Sequence, residues 1–354
     1  MIDFIIVGRG LAAATLAHTF HKHSISFKIV GSDTMSSCSR VAAGIWNPVV
    51  FKRLTKSWLA DDLIQELNTF YSECEFLLRK KIITQRSIIK PFTEDQEKTL
   101  WKKRAKGELE SFLDEHIKLE ATEELESYKI VNGYGIVNKC GNLNVADFID
   151  ATCEYFKELI INEKFDHSEL QLTSEKLTYK EAVAKNIIFC EGYMVKENPL
   201  FNWIPLKPAK GEILTIKVPK LKSKNSIFNR NGFIMDVEEG LYRVGATYEW
   251  DDLTETPTEK GFQELQEKIK SMLDCDYTLL KHEAGIRPSS KDRRPIIGAH
   301  PKLKNAYVFN GLGTKGVMLA PYFAKNFVNS FLNKEPLHKE VDVKRFYTDY
   351  DNKG

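Results

Sequence analysis

The stretch Asp3-Phe4-Ile5-Ile6-Val7-Gly8-Arg9-Gly10-Leu11-Ala12-Ala13-Ala14-Thr15-Leu16-Ala17 decides the fold. Phe4–Val7 is short, apolar and β-branched, as a fully buried strand is. Gly8 and Gly10 follow, then the small residues Ala12, Ala13 and Ala14. A sharp turn from strand to helix needs unusual backbone angles, which suits Gly8. Gly10 lets a pyrophosphate approach the backbone, and Ala13 lets the helix pack close to the strand. The helix N-terminus then presents N–H groups and a positive dipole end to an anion. The spacing Gly-x-Gly-x-x-Ala therefore predicts a dinucleotide site.

The next strand is read at Ser26–Val30, followed by Gly31, Ser32 and Asp33. A dinucleotide fold places an acid at the end of this strand to bind ribose hydroxyls. Gly31 stands there instead, so Ser32 and Asp33 are the candidate ribose contacts. They are equally readable as plain turn residues.

The 354 residues permit one large domain or two intimately joined ones. Lys and Arg number 51 against 49 Asp and Glu, so no global attraction to nucleic acid or to a membrane is expected. The basic runs Lys102-Lys103-Arg104 with Lys106, and Lys220, Lys222 and Lys224, read as a solvated helix face and a loop. Six cysteines lie apart, none at CxxC spacing. That speaks against a metal site or disulfide framework and for a reducing cytoplasm. No run is long enough to span a membrane, and the first strand begins too close to Met1 for a signal peptide.

Along the chain, the Ser-rich loop from Met35 leads into Ser39, Arg40, Val41, Ala42, Ala43, Gly44 and Ile45, small enough to lie against a flat ligand. From Trp58 the apolar spacing is helical, and helices are also read at 94–106 and 108–117. The block 51–130 thus reads as a helical insertion. A helix is read at 144–159, and a buried strand at 186–190 ends in Gly192. The middle is β-rich: a strand at 211–217 and a hairpin around Glu239-Gly240, then a helix at 258–273. Near the C-terminus, the strand Tyr307–Phe309 runs into Gly311, Gly313, Thr314, Lys315 and Gly316, then a helix. Two strand–glycine–helix units at opposite ends can aim two positive helix ends at one ligand.

Five motifs in this order resemble the FAD-dependent D-amino-acid oxidase superfamily, nearest the glycine and sarcosine oxidase branch. They are Gly8-x-Gly10-x-x-Ala13, Ser39-Arg40-x-Ala42-Ala43-Gly44, Val244-Gly245-Ala246-Thr247-Tyr248-Glu249, Gly285-Ile286-Arg287-Pro288 with Asp292-x-x-Pro295-x-Ile297-Gly298, and Gly311-x-Gly313-x-x-Gly316. The resemblance implies an α/β fold of two lobes, an FAD-binding Rossmann-like domain and a mixed-sheet substrate domain. The FAD domain would comprise 1–50, 131–200 and 281–354, and the substrate domain 51–130 and 201–280. It implies non-covalent FAD held by Gly8, Gly10, Leu11, Ala13, Ser32, Asp33, Ser39, Arg40, Ala43, Gly44, Ile45, Gly192, Gly313, Thr314 and Gly316. Arg287 would clamp a substrate carboxylate with its planar fork, and Lys315 would sit above the flavin.

The expected activity is oxidation of the C–N bond of a small amine or amino acid by hydride transfer to flavin N5, with O2 as acceptor. Phe233 stands where glycine oxidases carry a tyrosine, which points to an amine other than glycine. The alternatives are an oxidase of a modified tRNA wobble-uridine side chain, as in the oxidase module of a bifunctional modification enzyme, and a flavoprotein without turnover. Near-balanced charge favours the small amine.

Overall fold

The computed structural model describes residues 1–33, 38–222, 224–238 and 240–351. Met35 to Ser37 of the Ser-rich loop and Glu239 at the hairpin tip lie outside the described residues.

The first sheet is built around Ile2–Val7, whose last four residues are fully buried or nearly so. It pairs in parallel with Phe27–Val30 on one side and Ala182–Phe189 on the other. Ala306–Asn310 adds a further parallel strand, and Ile296–Ala299 closes that edge antiparallel. Strands buried on both faces read as continuous apolar runs, which is why Phe4-Ile5-Ile6-Val7 lacks alternation. Leu11–Lys22 and Gly316–Asn333 lie side by side against this sheet. Phe4 meets Phe20 of one helix and Phe331 of the other, each at 4.8 Å between ring centroids. Each such ring contributes about 1.5–3 kcal/mol by leaving water.

The second sheet runs in the order Thr278–Arg287, Ala209–Lys217, Leu241–Gly245, Phe233–Glu238, Ser226–Asn229, Ile83–Pro91, Tyr134–Leu143, Ile45–Trp46. Its pairings are antiparallel except that of Ser226–Asn229 with Ile83–Pro91. The helix Glu259–Met272 packs on it, capped by Thr258, whose hydroxyl accepts from the Gly261 N–H at 3.0 Å.

The block 51–130 differs from the helical insertion read in the sequence. Ala60–Leu78 and Asp95–Ala105 are helices, but Ile83–Pro91 is a strand of the second sheet. Residues 108–117 form turns instead of a helix. Leu109, Phe112 and Leu113 are buried there, yet their backbone is recruited by Tyr134–Leu143: Asp114 N–H donates to Ile136 O, and Asn138 N–H to Phe112 O. Tertiary pairing overrides the local apolar spacing. The helix read at 144–159 ends earlier, spanning Val145–Tyr155, with Asn144 as its cap. Among the described residues, no helix is long and apolar enough to cross a membrane.

Candidate functional site

Between the two sheets lies a cavity of about 1080 Å³. That is just above the usual range for ligand sites, roughly 300–1,000 Å³, as suits an extended group. Its walls come from four turns that the chain supplies far apart in sequence.

The first wall is the turn after Ile2–Val7. Gly8 has φ +118, and a Cβ there would lie 2.5 Å from Cys190 O of the neighbouring strand's end. Gly10 precedes the first helix in extended backbone and supplies no side-chain cap. The first turn of that helix carries no acid, so its positive end is left to the cavity. Gly8, Gly10 and Leu11 line the cavity, and the Leu11 N–H donates to Ser39 Oγ at 3.2 Å. Ala13 does not face it; it is buried in the core beneath the helix, where close packing needs a small residue.

Ser32 and Asp33 line the same end. The missing acid at position 31 has a physical reason: a Cβ on Gly31 would lie 2.9 Å from Arg9 Cβ. Arg9 takes that space. Its Nη1 donates to Asn162 Oδ1 at 2.9 Å, Asn162 Nδ2 donates to Asp33 Oδ2 at 3.0 Å, and Arg9 stands 3.9 Å from the Asp33 carboxylate. This Arg9–Asn162–Asp33 group was not legible in the sequence, because Asn162 joins it from 129 residues away.

The second wall is 38–45. Ser39, Arg40, Ala43, Gly44 and Ile45 line the cavity. Arg40 is fixed by Asp150 at 2.6 Å. Gly44 has φ +69, and a side chain there would run into the Leu143 carbonyl. Arg243 holds the segment from behind by donating to Val41 O at 2.8 Å and Ala42 O at 3.1 Å.

Gly192 forms a third corner, its carbonyl accepting from Asn310 Nδ2 at 2.8 Å. The fourth is the turn holding Gly313, Thr314, Lys315 and Gly316, which opens the helix Gly316–Asn333. A Cβ on Gly316 would lie 3.2 Å from Leu11 Cδ2, so the two helices begin side by side at one cavity. Lys315 Nζ donates to Ser57 Oγ, and burial lowers its pKa to about 8. Two cavity thiols, Cys38 and Cys190, are pushed up by burial, Cys38 to about 11.

Arg287 ends the strand Thr278–Arg287 and faces the cavity. Its Nη1 donates to Thr247 O at 3.1 Å and Lys210 O at 3.3 Å. The Tyr248 ring covers the guanidinium at 4.4 Å. Among the described residues no carboxylate is placed as its ion-pair partner, and burial pulls its pKa down. A cation largely withdrawn from water without an anion is costly, so the partly buried guanidinium favours an incoming anion. Phe233 lines the wall nearby. The cover that Tyr248 provides lies within a motif quoted from the sequence, but its role was not read there.

These residues fit a dinucleotide. Two helix N-termini meet at one cavity, and glycines clear the backbone where a long flat group would lie. A family model described as FAD dependent oxidoreductase, DAO, matches residues 3–329. Glycine oxidase of Bacillus subtilis is 30% identical over 130 residues, covering 36% of this chain and 35% of that one. The tRNA 5-methylaminomethyl-2-thiouridine biosynthesis bifunctional protein MnmC of Leptospira borgpetersenii is 23% identical over 96% of this chain and 58% of its own length. The chain thus spans only part of the curated relatives that it matches. Among solved structures, glycine oxidase from Bacillus cereus superposes with a TM-score of 0.80 at 17% identity, over 96% of this chain and 97% of that one. Iminodiacetate oxidase from Chelativorans does so with 0.80 at 16%, over 96% and 98%. The fold and the match over 3–329 together show that this chain belongs to the DAO family of FAD-dependent oxidoreductases.

Proposed function

We propose that the chain oxidises the carbon next to nitrogen in a small amine or amino acid that bears a carboxylate. The observation that carries this reading is Arg287: a partly buried fork facing the cavity, set by two carbonyls and an aromatic face, without an acid of its own. Arg meets a carboxylate with two parallel hydrogen bonds and fixes its orientation.

Gly8, Gly10, Leu11 and the Ser32–Asp33 corner would hold the ADP half of FAD, with Ser39, Arg40, Ala43, Gly44, Ile45 and Gly192 along its length. Gly313, Thr314 and Gly316 would place the second helix end beside the ring. Held there, FAD would supply the hydride acceptor for the substrate carbon. The positive helix end stabilises negative charge where it develops. Lys315 supplies a further donor at that wall. Tyr248 lies over the guanidinium and Phe233 adds an apolar face to the cavity wall. The division into a cofactor domain (1–50, 131–200, 281–354) and a substrate domain (51–130, 201–280) belongs to this reading, although Ile45–Trp46, Tyr134–Leu143 and Thr278–Arg287 pair into the second sheet with the strands of 201–280. Thiols held protonated are poor nucleophiles, which supports non-covalent binding. Dioxygen as acceptor and a cytoplasmic setting belong to the same proposal, the latter supported by free cysteines at all six positions.

A second reading, action on a modified tRNA side chain, draws on the MnmC relative, whose match extends over 96% of this chain. One experiment separates the two. The purified yellow protein is mixed anaerobically with glycine, sarcosine, other free amino acids, or tRNA, and flavin absorbance is followed. Bleaching by a free amino acid supports the proposal. Bleaching by tRNA alone replaces it with the second reading.

A further inference from the structure

The segment 247–258 joins the strand Leu241–Gly245 to the helix Glu259–Met272. It is fastened to a buried lysine, Lys210, and at its far end to Glu212, which stands 3.7 Å from the Lys210 Nζ. Lys210 lies in Ala209–Lys217 with none of its surface exposed. Its N–H donates to Glu249 O at 2.8 Å, and its carbonyl accepts from the Glu249 N–H at 3.0 Å. Its Nζ reaches Asp252 Oδ2 at 2.6 Å, Thr254 Oγ1 at 3.3 Å and Thr256 O at 2.5 Å. Glu212, two residues along on the same face, accepts from the Thr258 N–H at 3.0 Å and its hydroxyl at 2.8 Å. The segment so held carries Thr247 O and the Tyr248 ring, the acceptor and the cover of Arg287. Lys210 O is the other acceptor. Trp250 stacks on Tyr248 at 6.0 Å as the outer layer, half exposed.

A buried lysine is an expensive fastening. Apolar residues of similar volume often replace buried ion pairs without loss of stability. Stability alone therefore gives no reason for a charge here. Position does: three hydrogen bonds from one Nζ fix the segment's path more narrowly than an apolar contact can.

We propose that Lys210, through its ion pair with Asp252, is a positioning residue that holds 247–258 so that Thr247 and Tyr248 set the Arg287 guanidinium for a substrate carboxylate. This rests on the reading of Arg287 as the carboxylate clamp. The Lys210 side chain does not line the cavity; it acts through the segment, while its carbonyl accepts from Arg287 directly.

The test uses the FAD-loaded protein and acetate as the probe, with binding read from the flavin absorbance change. Asp252 is partly exposed, so Asp252→Asn keeps the fold while removing the charge. The acetate Kd should rise about 10-fold, a charge-assisted hydrogen bond's worth, with FAD content and Tm unchanged. Asp252→Glu should restore most of it. Lys210→Met should show the same loss; if it fails to fold, Asp252→Asn decides. A wild-type Kd in Asp252→Asn overturns the inference. So does a fall in Tm together with acetate binding that Asp252→Glu does not rescue, which marks a merely structural strap. Arg287→Ala is the reference. If it too binds acetate normally, or if wild type gives no acetate signal, the clamp reading fails and this inference with it.

Discussion

Gly211→Ala moves the Arg287 head without deleting it. Gly211 sits in Ala209–Lys217 opposite Gly285. A Cβ there would occupy the space of the Arg287 guanidinium, overlapping its carbon and both terminal nitrogens. Gly211 is not among the residues with positive φ, so alanine is not strained on the backbone. The atoms that must give way are the far end of a flexible side chain, so the fold persists. The guanidinium then leaves Thr247 O, Lys210 O and the Tyr248 face, which lie at 3.1, 3.3 and 4.4 Å. Full loss of one partner of a buried charge pair costs about 2–5 kcal/mol. At about 1.4 kcal/mol per tenfold, Arg287→Ala should lower kcat/KM by roughly 30-fold to a few thousand-fold. A displaced fork still carries its charge, so Gly211→Ala should cost about 10- to 100-fold, the usual penalty of an ångström's misplacement. The assay is stopped-flow flavin reduction with a carboxylate-bearing amine and with the same amine as its neutral amide. The amino acid should lose the stated factor and the amide should not. An equal loss for both, or none for either, refutes the idea that the position of this guanidinium sets the reaction.

Gly8→Ala should give colourless protein and lower stability by about 1–3 kcal/mol, because it combines φ +118 with a Cβ 2.5 Å from Cys190 O; absorbance and urea unfolding check it. Lys315 has its pKa lowered by burial to about 8, against 10.5 for a solvated lysine. Below pH 8 both folded and unfolded forms carry the charge and the burial cost is complete. Between about 8 and 10.5 only the unfolded form is protonated, so stability rises with pH. Lys315→Met should therefore stabilise the protein by about 1–2 kcal/mol at pH 7, with the gain shrinking by about pH 9.5 in urea melts. Phe233→Tyr places a hydroxyl on the cavity wall, and kcat/KM for glycine should rise about 3- to 10-fold if that hydroxyl meets the carboxylate.

The cofactor half of the site was legible because its signals are local. Gly8, Gly44 and Gly313 sit at positive φ in turns that join neighbouring elements. That is a local backbone demand which the glycine itself announces, even though the atoms that would clash, Cys190 O and Leu143 O, lie far along the chain. The strand Ile83–Pro91 and the turns at 108–117 were not legible, since what decides them is pairing with Tyr134–Leu143, a partner some twenty to sixty residues on. The same holds for Arg9. It reads as the variable position of a glycine motif, and only the fold brings Asn162 to it and shows why Gly31 cannot be an acid.

The substrate half is long-range throughout. Arg287 pairs with Ala209 and Gly285 with Gly211, so the register of two strands some seventy residues apart decides where the guanidinium lies. The two glycines have separate reasons. Gly211 leaves room for the Arg287 head, while a Cβ on Gly285 would lie 3.0 Å from Cys38 Cα, in the segment that walls the cavity. One glycine thus admits the clamp and the other lets the cofactor wall close on the same strand. Shifting the register by one residue would carry Arg287 to the opposite face of the sheet. The clamp and the cofactor wall are therefore tied to each other through a single strand pairing. That coupling is why a motif can announce the cofactor, whereas the position of the substrate fork requires the folded chain.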